Sequence, residues 1–114
     1  MPGAASSVLL ASLLALASSL EGPCDIYARG STPCVAAHSL TRALYGAYAG
    51  PLYQVKRESD GAFQDISVLR GAADSALQDS FCEKDTCTVS RIYDQSPNKN
   101  HLDLGPGGGA AKAP

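Results

Sequence analysis

Apolar and polar residues alternate through the middle of this chain, and on either side of that stretch apolar residues recur every four positions. In the alternating part, Tyr53 and Val55 fall on one face and Gln54 and Lys56 on the other, so Leu52 to Arg57 is expected as a half-buried strand. Ser59-Asp-Gly61 is a turn signal, which makes Ala62 to Leu69 the returning arm of a hairpin. Thr86 to Tyr93, rich in Thr, Val, Ile and Tyr, reads as a third strand. Upstream, Ala36, Leu40, Leu44 and Ala47 share a helical spacing. Thr32 can cap that helix, Pro33 suits its first turn, and Gly50-Pro51 ends it. Leu69, Ala73, Leu77 and Phe81 lie four apart, so a second short helix is expected over Ala72 to Phe81. Ser96-Pro-Asn-Lys-Asn100 is loop.

Three strands and two short helices leave sheet edges that need neighbours. The pattern is therefore expected to be the first part of a larger β-rich fold. The chain shows no internal repeat and no Asn-x-Ser/Thr acceptor.

Ahead of these elements stands the apolar run Val8-Leu-Leu-Ala-Ser-Leu-Leu-Ala-Leu16, too short to span a bilayer. Ala15-Leu-Ala17 supplies a small-x-small cleavage pattern, although no Lys or Arg precedes the run. Residues 1–17 are expected to be a signal peptide rather than a membrane anchor or a buried helix. The product, Ser18 to Pro114, is expected to be secreted and extracellular. Residues 105–114, rich in Gly, Pro and Ala, can bury little, so 18–104 carries the domain and Gly22 to Leu104 the foldable part. A core this small is marginal.

Net charge is −2, which argues against nucleic acid or an anionic membrane as partner and favours a neutral substrate or a protein neighbour. The four cysteines, Cys24, Cys34, Cys82 and Cys87, form two close groups. In an exported chain that reads as two disulfides, with three connectivities open. A zinc site fits poorly, because the spacings are not the usual C-x2-C.

Paired carboxyl groups are candidates for general acid–base chemistry. Most acidic residues here sit in polar turns. Asp25 and Asp94, which lie inside the segments Gly22 to Tyr27 and Ile92 to Ser96, are weighed separately, and each has a structural role available: Asp25 beside a cysteine, Asp94 closing the turn after its strand. His38 and Ser39 are adjacent, but helix neighbours point about 100° apart and no glycine-flanked nucleophile elbow accompanies them. His38 is expected as a hydrogen-bonded helix residue and His101 as loop. Asp94, Ser96, Asn98 and Asn100 alternate like the opening ligands of a calcium loop, yet Lys99 replaces its turn glycine and Gly105 its bidentate Glu. A polar turn is the expected outcome. Tyr27, Tyr45, Tyr48, Tyr53 and Tyr93 could stack on a ligand ring, but their spacing places most of them in the core, and the chain has no Trp. No residue is assigned a catalytic, substrate-binding or metal role, and no cofactor is called for.

Several blocks carry a resemblance. They are Gly22-Pro-Cys-Asp-Ile-Tyr27, Thr32-Pro-Cys-Val-Ala-Ala-His-Ser39, Arg42-Ala-Leu-Tyr-Gly-Ala-Tyr48, Gly50-Pro-Leu-Tyr-Gln-Val-Lys-Arg57 and Ile92-Tyr-Asp-Gln-Ser96. In this order, over roughly Gly22 to Leu102, they resemble the opening of the catalytic domain of glycoside hydrolase family 54, the fungal α-L-arabinofuranosidase B family. The resemblance implies a mainly β fold, a fragment of a concanavalin/laminin-G-like β-sandwich with short helices. It also implies the pairing Cys24–Cys34 and Cys82–Cys87. Family members are extracellular and remove terminal α-L-arabinofuranosyl groups from arabinoxylan and arabinan with retention. The implied partner of the full-length enzyme is thus plant cell-wall arabinose-containing polysaccharide. Their Glu nucleophile and Asp acid/base belong to later segments, and no position here matches them. The expected function is therefore an incomplete N-terminal portion of that hydrolase, inactive alone. The alternative is a small disulfide-stapled secreted binding module without catalysis.

Overall fold

The computed structural model describes residues 21–105. The leader and most of the 105–114 tail lie outside that range, so the signal-peptide expectation is not addressed by it. Helix α1 (Pro23–Arg29) is followed by a long irregular segment and then by β1 (Pro51–Arg57), β2 (Phe63–Leu69) and β3 (Ala72–Ala73). Helix α2 (Ser75–Phe81), β4 (Cys87–Ile92) and β5 (Leu102–Asp103) complete the described chain. The strands form one antiparallel sheet in the order β3-β2-β1-β4-β5.

The core sits under α2. Tyr53, Val55 and Ile66 are buried, and Leu77 and Phe81 of the helix pack against them. The Tyr53 hydroxyl donates to the Gln78 side chain, tying the sheet to the helix. Register shifts between Pro51 and Tyr53, and this bulge lets the consecutive residues Leu52 and Tyr53 both be buried. The opposite face carries a polar ladder, in which Asp65 Oδ1 accepts from Gln54 (3.2 Å) and from the Tyr93 hydroxyl (2.6 Å).

The β1–β2 hairpin turns at Gly61, whose φ of 70° only glycine adopts freely. Arg57 braces that turn through Asp60 (2.7 Å), lays its guanidinium over Phe81, and holds the Asp60 carboxyl down at about 2. Both disulfides form as Cys24–Cys34 and Cys82–Cys87. The second closes the chain between α2 and β4.

Two expectations fail. Residues 33–49 are not helical, and Leu40, placed on the buried face of that helix, is 44% exposed. The segment's backbone is recruited elsewhere: Ala37 and Leu44 donate to side chains near the end of β4, and Ala43 donates to Gly71 (3.0 Å). Ser39 Oγ takes the Thr41 and Arg42 amides, which closes a turn incompatible with a continuing helix. The helix forms upstream instead, at Pro23–Arg29, with Pro at its start and Asp25 in its first turn. Thr32 does not cap a new helix; its hydroxyl donates to Tyr27 O, at the end of α1. Further along, the helix expected from Ala72 begins at Ser75, because Ala72–Ala73 pairs with Val68 and Leu69 and Asp74 caps the helix by accepting from Leu77 (3.3 Å).

Candidate functional site

Asp94, Gln95 and Ser96 leave β4 and turn into the interior, where all three are buried. Each reaches the irregular 35–44 segment. Asp94 Oδ1 accepts the Ala37 amide (2.8 Å) and the Ser96 amide (2.9 Å), and Oδ2 accepts the Asn100 amide (2.9 Å). Gln95 Oε1 accepts the Leu44 amide (2.7 Å) while its Nε2 donates to Arg42 O (3.1 Å). Ser96 Oγ and Asn98 Nδ2 both donate to Val35 O, the latter at 2.7 Å. Burial pushes the Asp94 carboxyl up, but the Ser96, Ala37 and Asn100 amides outweigh it and hold the group at about 2.

Asp25 is similarly committed. Its Oδ2 accepts the Gly46 amide (2.7 Å) and the Gly22 amide (2.8 Å). These bonds, Gly46 first, lower its carboxyl below the usual range. It thus pins the start of α1 to the same irregular segment, beside the Cys24–Cys34 bridge.

The histidines serve the same architecture. His101 Nδ1 accepts the Asp94 amide (2.9 Å), and its ring meets Tyr93 edge to face at 5.0 Å. His38 is not on a helix; its Nε2 pairs with Asn100 O at 2.8 Å. Ser39 is turned to its own loop and makes no contact with His38 that would activate it. The alternating set Asp94, Ser96, Asn98 and Asn100 is a polar turn: the first three bind backbone through their side chains, and Asn100 contributes its amide to Asp94 and its carbonyl to His38.

Among the tyrosines, Tyr53 is buried and Tyr45, Tyr48 and Tyr93 are partly buried, with the Tyr93 phenol pushed up to about 12 by burial and by Asp65. Tyr27 departs from the core expectation: it is 54% exposed on α1. The real α1 places it on the outside. The structure also gathers Arg42 and Arg70 at one cleft, a pairing with no sequence signal, since it depends on a bridge between Arg42 and Ala72.

The sequence profile of the catalytic region of α-L-arabinofuranosidase B matches residues 23–114. A probable α-L-arabinofuranosidase B of Aspergillus fumigatus is 58% identical over 107 residues, covering 91% of this chain and 21% of the relative. The α-L-arabinofuranosidase B of Aspergillus oryzae is 63% identical over 90 residues, covering 77% of this chain and 18% of the relative. The chain therefore spans about a fifth of the length of the curated relatives it matches. A crystal structure of an arabinofuranosidase complexed with arabinofuranosyl-α-1,2-xylobiose superposes with a TM-score of 0.73 at 56% identity. That likeness covers 77% of this chain and 19% of the other. A family 54 α-L-arabinofuranosidase soaked with a cyclic sulfate inhibitor agrees equally well, with a TM-score of 0.73 at 56% identity over 77% of this chain and 19% of the other. With the family profile matched over most of its length and its fold found again in solved members over 77% of the chain, the chain belongs to the α-L-arabinofuranosidase B catalytic family, glycoside hydrolase family 54.

Proposed function

We propose that this chain is the leading scaffold portion of a secreted α-L-arabinofuranosidase, an enzyme that removes terminal α-L-arabinofuranosyl groups from plant cell-wall arabinoxylan and arabinan. The catalytic carboxylates are supplied by segments that residues 21–105 do not include. One observation carries the division of labour. Asp25 and Asp94, the two carboxylates inside the family-like blocks, are spent on backbone amides. A general acid must hold its proton near working pH, whereas Asp94 sits at about 2 and is fully buried. Both carboxylates build the frame instead. The apolar leader and the two disulfides support export.

The test is a graft. Residues 22–104 replace the matching segment of the Aspergillus fumigatus relative, and turnover of p-nitrophenyl α-L-arabinofuranoside is measured. The graft is expected to turn over at a rate of the same order as the parent, and the isolated chain not at all. A folded but inert graft overturns the scaffold assignment. Turnover by the isolated chain overturns the claim that its carboxylates are structural.

A further inference from the structure

Beside the start of α1 lies a cleft of about 780 Å3, between Glu21, Arg42, Ala43, Gly46, Arg70 and Gly71. A smaller cleft of about 260 Å3 shares Glu21 and Arg42 with it and extends to Ile26 and Tyr27. The two form one groove with a cationic end and an apolar end.

Main-chain pairing assembles the cationic end. The bridge between Arg42 and Ala72, with the Ala43 amide donating to Gly71 O (3.0 Å), sets the irregular segment against the turn between β2 and β3. Arg70 occupies that turn with φ 54°, followed by Gly71 at 82°. Asn or Gly is the ordinary choice at such a left-handed position, so a long cationic side chain there is unfavourable for the turn itself. Arg42 donates from Nε to Ala43 O (3.0 Å), which fixes its guanidinium plane and leaves both terminal nitrogens available. Among the described residues neither arginine forms an ion pair, and the Glu21 carboxylate at the rim is engaged by Arg29. Positive charge thus stands unneutralised in one place on a chain of net charge −2.

At the apolar end, Tyr27 and Ile26 are 54% and 51% exposed. An exposed aromatic ring can bury the C–H face of a pyranose. A guanidinium fork matches a carboxylate with two parallel hydrogen bonds. Together they describe one ligand chemistry. We propose that this groove binds a uronate, a sugar residue bearing a carboxylate, within an acidic cell-wall polysaccharide. The ring would lie against Tyr27 and the carboxylate between Arg42 and Arg70. The assignment rests on the polysaccharide-directed reading above, and gives the scaffold portion a contact of its own with substrate.

The full disulfide-bonded chain is tethered at low density, and hexagalacturonate, neutral xylohexaose and inorganic phosphate are passed over it in surface plasmon resonance. Hexagalacturonate is expected to bind, to weaken as salt is added, and to exceed both other probes. In the Arg42→Gln/Arg70→Gly variant, Gln keeps a donor near Ala43 O and Gly suits the left-handed turn, so the fold is retained, as checked by circular dichroism and a free-thiol count. That variant is expected to lose about tenfold or more in affinity, as is the surface variant Tyr27→Ala. Equal binding of xylohexaose, equal binding of phosphate, no binding of hexagalacturonate, or undiminished binding by a folded double variant each overturns the proposal. Because p-nitrophenyl arabinofuranoside carries no carboxylate, the graft experiment and this one can fail independently.

Discussion

Asp94 has no freedom left to do chemistry, and its substitution should be felt in the frame. An asparagine there would aim an amide donor at one of three amide donors, those of Ala37, Ser96 and Asn100. We expect Asp94→Asn to cost about 2–4 kcal/mol, read from urea denaturation of the grafted enzyme against its parent. The pH dependence has a definite sign. The folded carboxyl sits at about 2, below its ordinary 3.8, so its contribution is complete above roughly pH 4 and is lost as pH falls through 2. The stability gap between parent and variant should therefore close over that window. A gap that stays constant to pH 2 would place the interaction elsewhere. The backbone-binding roles of Asp25 and Asp94 were legible in the sequence, because a short carboxylate beside a turn has amides within reach. The Arg42–Arg70 groove was not. Nothing in the spacing of two arginines announces that a single β-bridge will bring their turns together.

At the level of elements, the strands were readable and the first helix was misplaced. Tyr53 and Val55 alternate cleanly with polar neighbours, and a hairpin turn with Gly61 follows them. Between residues 33 and 49 the four-residue spacing of Ala and Leu was equally visible but misleading. The donors a helix would have used are claimed by Asp94, Gln95 and the β2–β3 turn, which lie far along the chain. The signal for α1 was present in Pro23 and Asp25, and the capping chemistry at Thr32-Pro33 competed with it. Docking of α1 is tight at Gly22, where a Cβ would overlap the Leu44 carbonyl, the acceptor of the Cys24 amide. Gly22→Ala should lower stability by about 2 kcal/mol or more and raise hydrogen exchange at Cys24. By contrast, Asp74→Ala removes only the α2 cap and should cost about 1 kcal/mol. Equal costs for the two would show that α1 is not seated on Leu44.

For the whole molecule, the sheet's two outer strands, β3 and β5, are each only two residues long. Leu69, Phe63, Val89, Leu102 and Leu104 are all at least 40% exposed along it. Such a surface favours association with other chains or with the rest of a domain. Sedimentation of the isolated chain at micromolar concentrations should show self-association, and its thermal transition should be broad. A monomer with a sharp melt would instead favour the stand-alone binding module. The mainly β, disulfide-stapled architecture was legible because cysteine grouping and strand patterning are local. Which apolar residues would be left bare was not, since it depends on where the rest of the fold lies.

The Asp-Gln-Ser clamp also sets an order of events during folding. Ala37 waits for Asp94, which lies 57 residues further on, and Leu44 waits for Gln95, 51 residues on. As the chain emerges from the ribosome, the 35–44 segment can meet the β2–β3 turn first, through Ala43 and Gly71, but its Asp94 and Gln95 partners arrive only after β4, so contacts of high sequence separation gate the completion of its ordering. Cys24 and Cys34, only 10 residues apart, can close before then and shorten the span that must search. The clamp should accordingly form late, and substitutions in it should accelerate unfolding while leaving the refolding rate nearly unchanged.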